Sequence, residues 1–140
     1  MASFHKLATI LIVVLCSCNV VKGDPNETLV YKICNEDSSS TWAYNHVLND
    51  LLQDIVNHTS HSGFNYYSEK DELLTLPCYG HGGCNGLLTP PDCHTCLGDA
   101  KNLIQKLCHF SCSAQLQLRD CRIRYEGMNS MKVKLRLIIK

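Results

Sequence analysis

The chain has 140 residues, with 13 Lys and Arg against 13 Asp and Glu, and is formally neutral. That length fits one domain, and the charge balance excludes the basic footprint of a nucleic-acid binder. With 45% hydrophobic and 19% charged residues the chain is not of disordered composition, while ten cysteines form the dominant compositional signal.

The first element is read at residues 1–23. Lys6 supplies a positive charge, and Leu7–Leu15 (LATILIVVL) is apolar apart from Thr9. A spanning helix needs about 20 apolar residues, roughly twice this run. The run fits the h-region of a secretory signal peptide. Val21-Lys22-Gly23 places cleavage before Asp24, with a cut after Cys18 as the alternative. Cleavage removes Cys16 and Cys18 and leaves eight cysteines in a single domain over 24–140. Two sequons, at Asn26 and Asn57, fit the same route. An extracellular protein with no membrane anchor is expected.

Leu29–Cys34 has strand composition, and Asn35–Thr41 reads as a polar turn. From Trp42 to Val56 the period is helical, with Tyr44, Val47, Leu48, Leu51, Leu52 and Ile55 on one face. Gly63 closes the polar stretch that follows. Phe64–Tyr67 is expected as a short edge strand and Leu73–Leu76 as a short apolar run. The glycines of Tyr79–Gly86 predict a loop. Thr89-Pro90-Pro91-Asp92 is a helix start with Asp92 as N-cap, and Cys93–His109 reads as the second helix. Ala114–Glu126 alternates like one strand, but Leu116 and Leu118 differ in parity from Cys121, Ile123 and Tyr125. A β-bulge near Arg119-Asp120 is expected to absorb the slip. Met131–Lys140 alternates again as an extra C-terminal strand. The class is α+β, two helices on one antiparallel sheet of about five strands.

The cysteines at 34, 78, 84, 93, 96, 108, 112 and 121 permit 105 pairings. A zinc site could combine Cys93 and Cys96 with Cys78, Cys84 or a histidine at 81, 94 or 109, but zinc needs thiolates that an oxidising compartment removes. A redox Cys-x-x-Cys lacks its βαβ context. Structural disulfides are the favoured reading. No metal and no cofactor is expected.

Cys84-x8-Cys93-x2-Cys96 resembles the C-x8-C-x2-C motif of the plant ginkbilobin-like, or stress-antifungal, domain of cysteine-rich repeat secretory proteins. The likeness extends to Cys34-Asn35, to the helix before Gly63-Phe64 and to Gln117-Leu118-x-Asp120-Cys121-x-Ile123-x-Tyr125-Glu126. It covers about residues 29–126. The resemblance implies the disulfides Cys34–Cys108, Cys84–Cys93 and Cys96–Cys121. Elimination then pairs Cys78 with Cys112.

No catalytic constellation is visible, and no enzyme is expected. The Gly80–Gly86 glycines lack the Lys-Ser/Thr of a phosphate cradle. His58 and His61 read as solvated surface. The resemblance implies a mannose-type sugar site built from an Asn after the first Cys, an Arg, and a Glu after the last Cys. Asn35 and Glu126 match, Gln115 stands at the Arg position, and Arg119 is a possible substitute cation. An amide, a carboxylate and a cation together accept from and donate to vicinal hydroxyls. The expected role is antifungal plant defence through a fungal-wall glycan. The alternative is a protein-interaction module that binds a cell-surface protein without sugar.

Overall fold

The structure is a computed structural model that describes residues 24–35, 42–71, 77–109 and 111–127. The expected signal peptide, the apolar run Leu73–Leu76 and the strand expected at 131–140 lie outside the described residues.

The elements in chain order are β1 (Leu29–Cys34), α1 (Trp42–Thr59), β2 (Asn65–Lys70), β3 (Cys78–Cys84), α2 (Pro90–Leu107), β4 (Ser113–Leu118) and β5 (Cys121–Gly127). All strand pairs are antiparallel, and the sheet order is β1-β4-β5-β3-β2. Both helices pack on one face of this five-stranded sheet, as the α+β reading requires.

The helices form where the apolar spacing puts them. In α1 the stripe Tyr44, Val47, Leu48, Leu51, Leu52 and Ile55 is buried, one face of a 3.6-residue repeat. The helix runs past Val56 to Thr59, whose hydroxyl donates to the Ile55 carbonyl at 2.6 Å. Gly63 (φ 67) and Phe64 (φ 62) then turn the chain into β2 through left-handed backbone. In α2 the N-cap is Thr89 rather than Asp92. Asp92 occupies the N3 position of a capping box, accepting from the Thr89 backbone while Thr89 accepts from the Asp92 N–H. Pro90 and Pro91 fill the first turn, where a missing N–H is harmless.

Two expectations about strands are corrected. The glycine-rich stretch is not a loop but strand β3, paired on both sides by β2 and β5. A Cβ at Gly80 would lie 2.5 Å from Ile55 Cδ1, and one at Gly82 2.3 Å from Ile55 Cγ2. The glycines therefore let α1 lie directly on the backbone of β3. The parity change at Arg119-Asp120 is not a bulge either. Those two residues are the turn of a hairpin between β4 and β5. Residues facing each other across a hairpin share a face, so Leu118 and Cys121 are both buried although their parities differ.

Three disulfides fasten α2 to the sheet. Cys34–Cys108 joins the end of β1 to the helix C-cap, Cys84–Cys93 joins the end of β3 to its first turn, and Cys96–Cys121 joins its next turn to β5. Cys78 and Cys112 are not bridged, contrary to the elimination argument. Cys78 pairs with Gly127 on one flank of β5, and the Cys112 carbonyl accepts from the Gly127 N–H on the other flank. Two strand spacings, about 10 Å, separate such positions. A disulfide tolerates no more than about 7 Å between Cα atoms.

Candidate functional site: the outer face of the sheet

The face turned away from the helices is polar. Arg122, Arg124 and Glu126 of β5 alternate with the buried Cys121, Ile123 and Tyr125, and Ser113, Gln115 and Gln117 of β4 alternate with Ala114, Leu116 and Leu118. Register aligns these side chains in rows across the strands. Ile33, Gln115, Arg124, His81 and Tyr67 form one row spanning all five strands. Ser113, Glu126, Tyr79 and Glu69 form a second, towards the end where Asn35 leaves β1.

The three residues of the expected sugar site converge on that end. The Asn35 N–H donates to the Ser113 carbonyl at 2.9 Å, and Ser113 stands opposite Glu126. Gln115 lies in the neighbouring row, where its amide nitrogen donates to the Tyr31 hydroxyl at 2.5 Å. Arg119 is not part of this group. It sits on the hairpin turn at the other end of β4 and β5, with its N–H on the Thr28 carbonyl at 3.0 Å.

A cation stands on the strand next to Gln115. Arg124 is directly opposite Gln115, and its guanidinium donates to the Glu126 carboxylate. Sequence reasoning missed Arg124 although the signal was present: residues two apart on a strand share a face, so buried Ile123 and Tyr125 place Arg124 with Glu126 outside.

Arg124 and Glu126 border a hollow of about 230 Å³ that Tyr67, Tyr79 and His81 also line. Tyr67 stacks on the His81 ring, with centroids 4.2 Å apart and planes 20° apart. His81 Nε2 lies 2.6 Å from Asn65 Oδ1. Burial holds the His81 pKa below its ordinary 6.5, and the positive charges of Arg122 and Arg124 lower it further. The ring is therefore neutral near pH 7. The hollow thus offers a carboxylate acceptor, a guanidinium fork and flat ring faces side by side. That set pairs with the hydroxyls and C–H faces of a saccharide.

Among the described residues no group of three or more His, Cys, Asp or Glu could hold a metal ion. None of their helices is long and apolar enough to cross a membrane. Both sequon asparagines are exposed. Asn26 accepts from the Thr28 N–H at 3.1 Å, and Asn57 of α1 accepts from Gln53 at 2.9 Å.

The family described as salt stress response/antifungal matches residues 33–128. The chain is 34% identical to antifungal protein ginkbilobin-like protein 2 of Picea glauca over 130 residues, which cover 90% of this chain and 96% of that protein. It is 33% identical to plasmodesmata-located protein 7 of Arabidopsis thaliana over 104 residues, covering 74% of this chain and 35% of that one. Among solved structures, the tandem DUF26 ectodomain of the Arabidopsis thaliana cysteine-rich receptor-like protein PDLP5 superposes with a TM-score of 0.63 at 29% identity, covering 71% of this chain and 50% of that chain. The chain therefore spans nearly all of the antifungal relative and half or less of the plasmodesmal and receptor-like ones.

Proposed function

Because the chain belongs to the salt stress response/antifungal family, we propose that it is a secreted, non-enzymatic defence or signalling domain whose ligand is a mannose-type glycan. The relatives named antifungal and cysteine-rich secretory support the compartment and the defence role. One observation carries the sugar reading: Arg124 returns a cation beside Gln115 and Glu126 on the outer face. Both partners of the Arg124–Glu126 pair are solvent-accessible. Surface pairs of that kind add about 0–1 kcal/mol to stability, so their polar groups are available to a ligand at little cost to the fold.

Gln115 in place of the family Arg favours a second reading, a protein-interaction module that binds a cell-surface protein without sugar. The ectodomain and plasmodesmal relatives are compatible with it. Calorimetric titration of the oxidised secreted form with mannose and a mannan oligosaccharide separates the two. Under the lectin reading binding is saturable, and Glu126→Ala and Arg124→Ala each weaken it by about tenfold or more. Absence of binding by the correctly folded protein selects the interaction module.

A further inference from the structure

A second and larger concavity lies at the opposite end of the outer face, where the β4–β5 turn meets the loop after β3. It holds about 600 Å³ and is bordered by Arg119, Arg122, Gln117, Asn65, Asn85 and Asp120. Its chemistry differs from that of the hollow beside Glu126. Neither Arg119 nor Arg122 makes an ion pair with another described residue. The Arg122 side chain lies over the bare backbone of Gly83, where a Cβ would come within 3.1 Å of its Nε. A side chain at position 83 would thus crowd the Arg122 guanidinium, and both residues border the cleft.

Asp120, the acidic side chain of the lining, has both oxygens hydrogen-bonded, one of them to Asn85, which also borders the cleft. Its Oδ2 accepts from the Asn26 N–H at 2.8 Å and its Oδ1 from the Asn85 amide at 3.2 Å. Gln117 directs its amide nitrogen to the carbonyls of Leu118 and Cys121, at 2.6 and 3.3 Å. Its amide oxygen is then the acceptor it can offer a ligand. Phe64 also borders the cleft but packs against the core, so the cleft has no free aromatic wall.

The geometry points to a second ligand site that takes a carboxylate-bearing oligosaccharide, one or two uronate-type units long. Two guanidinium groups with no ion-pair partner among the described residues, against the single hydrogen-bonded carboxylate of Asp120, leave the lining with a surplus of positive charge that suits an anion. A cleft of this volume is far larger than a lone oxyanion, and its amide-rich lining answers hydroxyl groups rather than hydrocarbon. The site is independent of the mannose reading, because it shares no bordering residue with the Arg124–Glu126 hollow.

The test is calorimetric titration of the oxidised secreted form with digalacturonate, with neutral mannobiose and inorganic phosphate as separate arms. Saturable uptake of the uronate is expected, weakening as salt is raised. Arg119→Ala and Arg122→Ala should each lower affinity by about tenfold. Both side chains are exposed, and an unchanged melting temperature confirms that each variant is folded. Gly86→Trp offers a second route, because Gly86 borders the cleft and a Cβ there meets nothing within 4 Å. This variant should block uptake without touching an arginine. Glu126→Ala should leave it unchanged, which separates the failure of this site from failure of the mannose site. Three results each overturn the proposal: no uronate binding by the folded protein, binding that survives both arginine substitutions, or equally tight binding of inorganic phosphate.

Discussion

Cys78 and Cys112 stand on opposite flanks of Gly127, and the Tyr44 hydroxyl sits over the glycine between them. A Cβ on Gly127 would come within 3.0 Å of that hydroxyl, which donates to the Cys112 carbonyl at 2.8 Å. The strand that runs between them keeps these cysteines beyond disulfide reach. Burial pushes the Cys78 thiol up to about 11, with the Tyr44 hydrogen bond opposing and nearby Cys112 adding to the shift. At neutral pH it is a poor nucleophile. Alkylation of the native protein should therefore label neither residue. Unfolding without reductant should make Cys78 and Cys112 reactive, two thiols in a protein that spans residues 24–140. A count of zero after unfolding would show that the strands can part far enough to form a fourth bridge.

The glycines of β3 set how closely α1 approaches. Gly82→Ala would press against the Ile55 γ-methyl and the Thr59 hydroxyl, which a Cβ would meet at 2.3 and 2.7 Å. Ile55 is β-branched and stiff at that position. A loss of about 1–3 kcal/mol is expected in urea unfolding. Gly80→Ala should be milder, because it meets the more mobile ends of Ile55 and Leu51. In α2, Gly98 has open space around its missing Cβ, so Gly98→Ala should stabilise by about 0.5–1 kcal/mol.

Asp54 ties α1 to the edge strand β2. Its carboxylate accepts from Ser68 at 2.5 Å and from Tyr66 at 3.1 Å, and Lys70 approaches to 3.5 Å. Asp54→Ala should cost about 1.5–3 kcal/mol. Burial alone would raise the carboxyl pKa. The Ser68 and Tyr66 hydroxyls, then the Lys70 and His58 charges, outweigh it and hold the pKa below the ordinary 3.8. The unfolded chain thus takes up this proton before the folded one does. The stability from Asp54 is complete above the ordinary value and disappears as pH falls through the folded value. Acid titration of unfolding should be shallower in Asp54→Asn, and an unchanged acid limb would contradict this role.

Thr89 caps α2 through both halves of its reciprocal pair with Asp92. Thr89→Ala should lower stability by about 1 kcal/mol, and Thr89→Ser should retain most of it. Equal losses in the two variants would show that the methyl group matters rather than the hydroxyl.

Side-chain periodicity made the two helices and the outer strands readable, because burial repeats at 3.6 or 2 residues wherever one face meets the core. It failed where a residue acts through what it lacks. Gly80 and Gly82 carry no side chain to alternate, so a strand under a helix has the composition of a loop. Arg119 and Asp120 look like a slip in one strand because a two-residue turn reverses direction without a glycine or proline to mark it. Cys78 and Cys112 appeared to be a pair because counting ignores the strand between them. Of the proposed sugar site, the family resemblance pointed to Asn35, Gln115 and Glu126. It did not point to Arg124, whose role comes from register: only the pairing of β4 with β5 sets it against Gln115.

Among the described residues all three disulfides converge on α2 and its C-cap, and none reaches α1 or β2. The molecule therefore has a covalent half and a half held by contact alone. Amide hydrogens of α1 and β2 should exchange with solvent before those of β4 and β5, and a protease should first nick the chain between Thr59 and Cys78. Such a nick would leave the frame around α2 cross-linked and still able to display the β4–β5 hairpin. Survival of this core after partial digestion is a form of persistence that a melting temperature for the whole domain does not record.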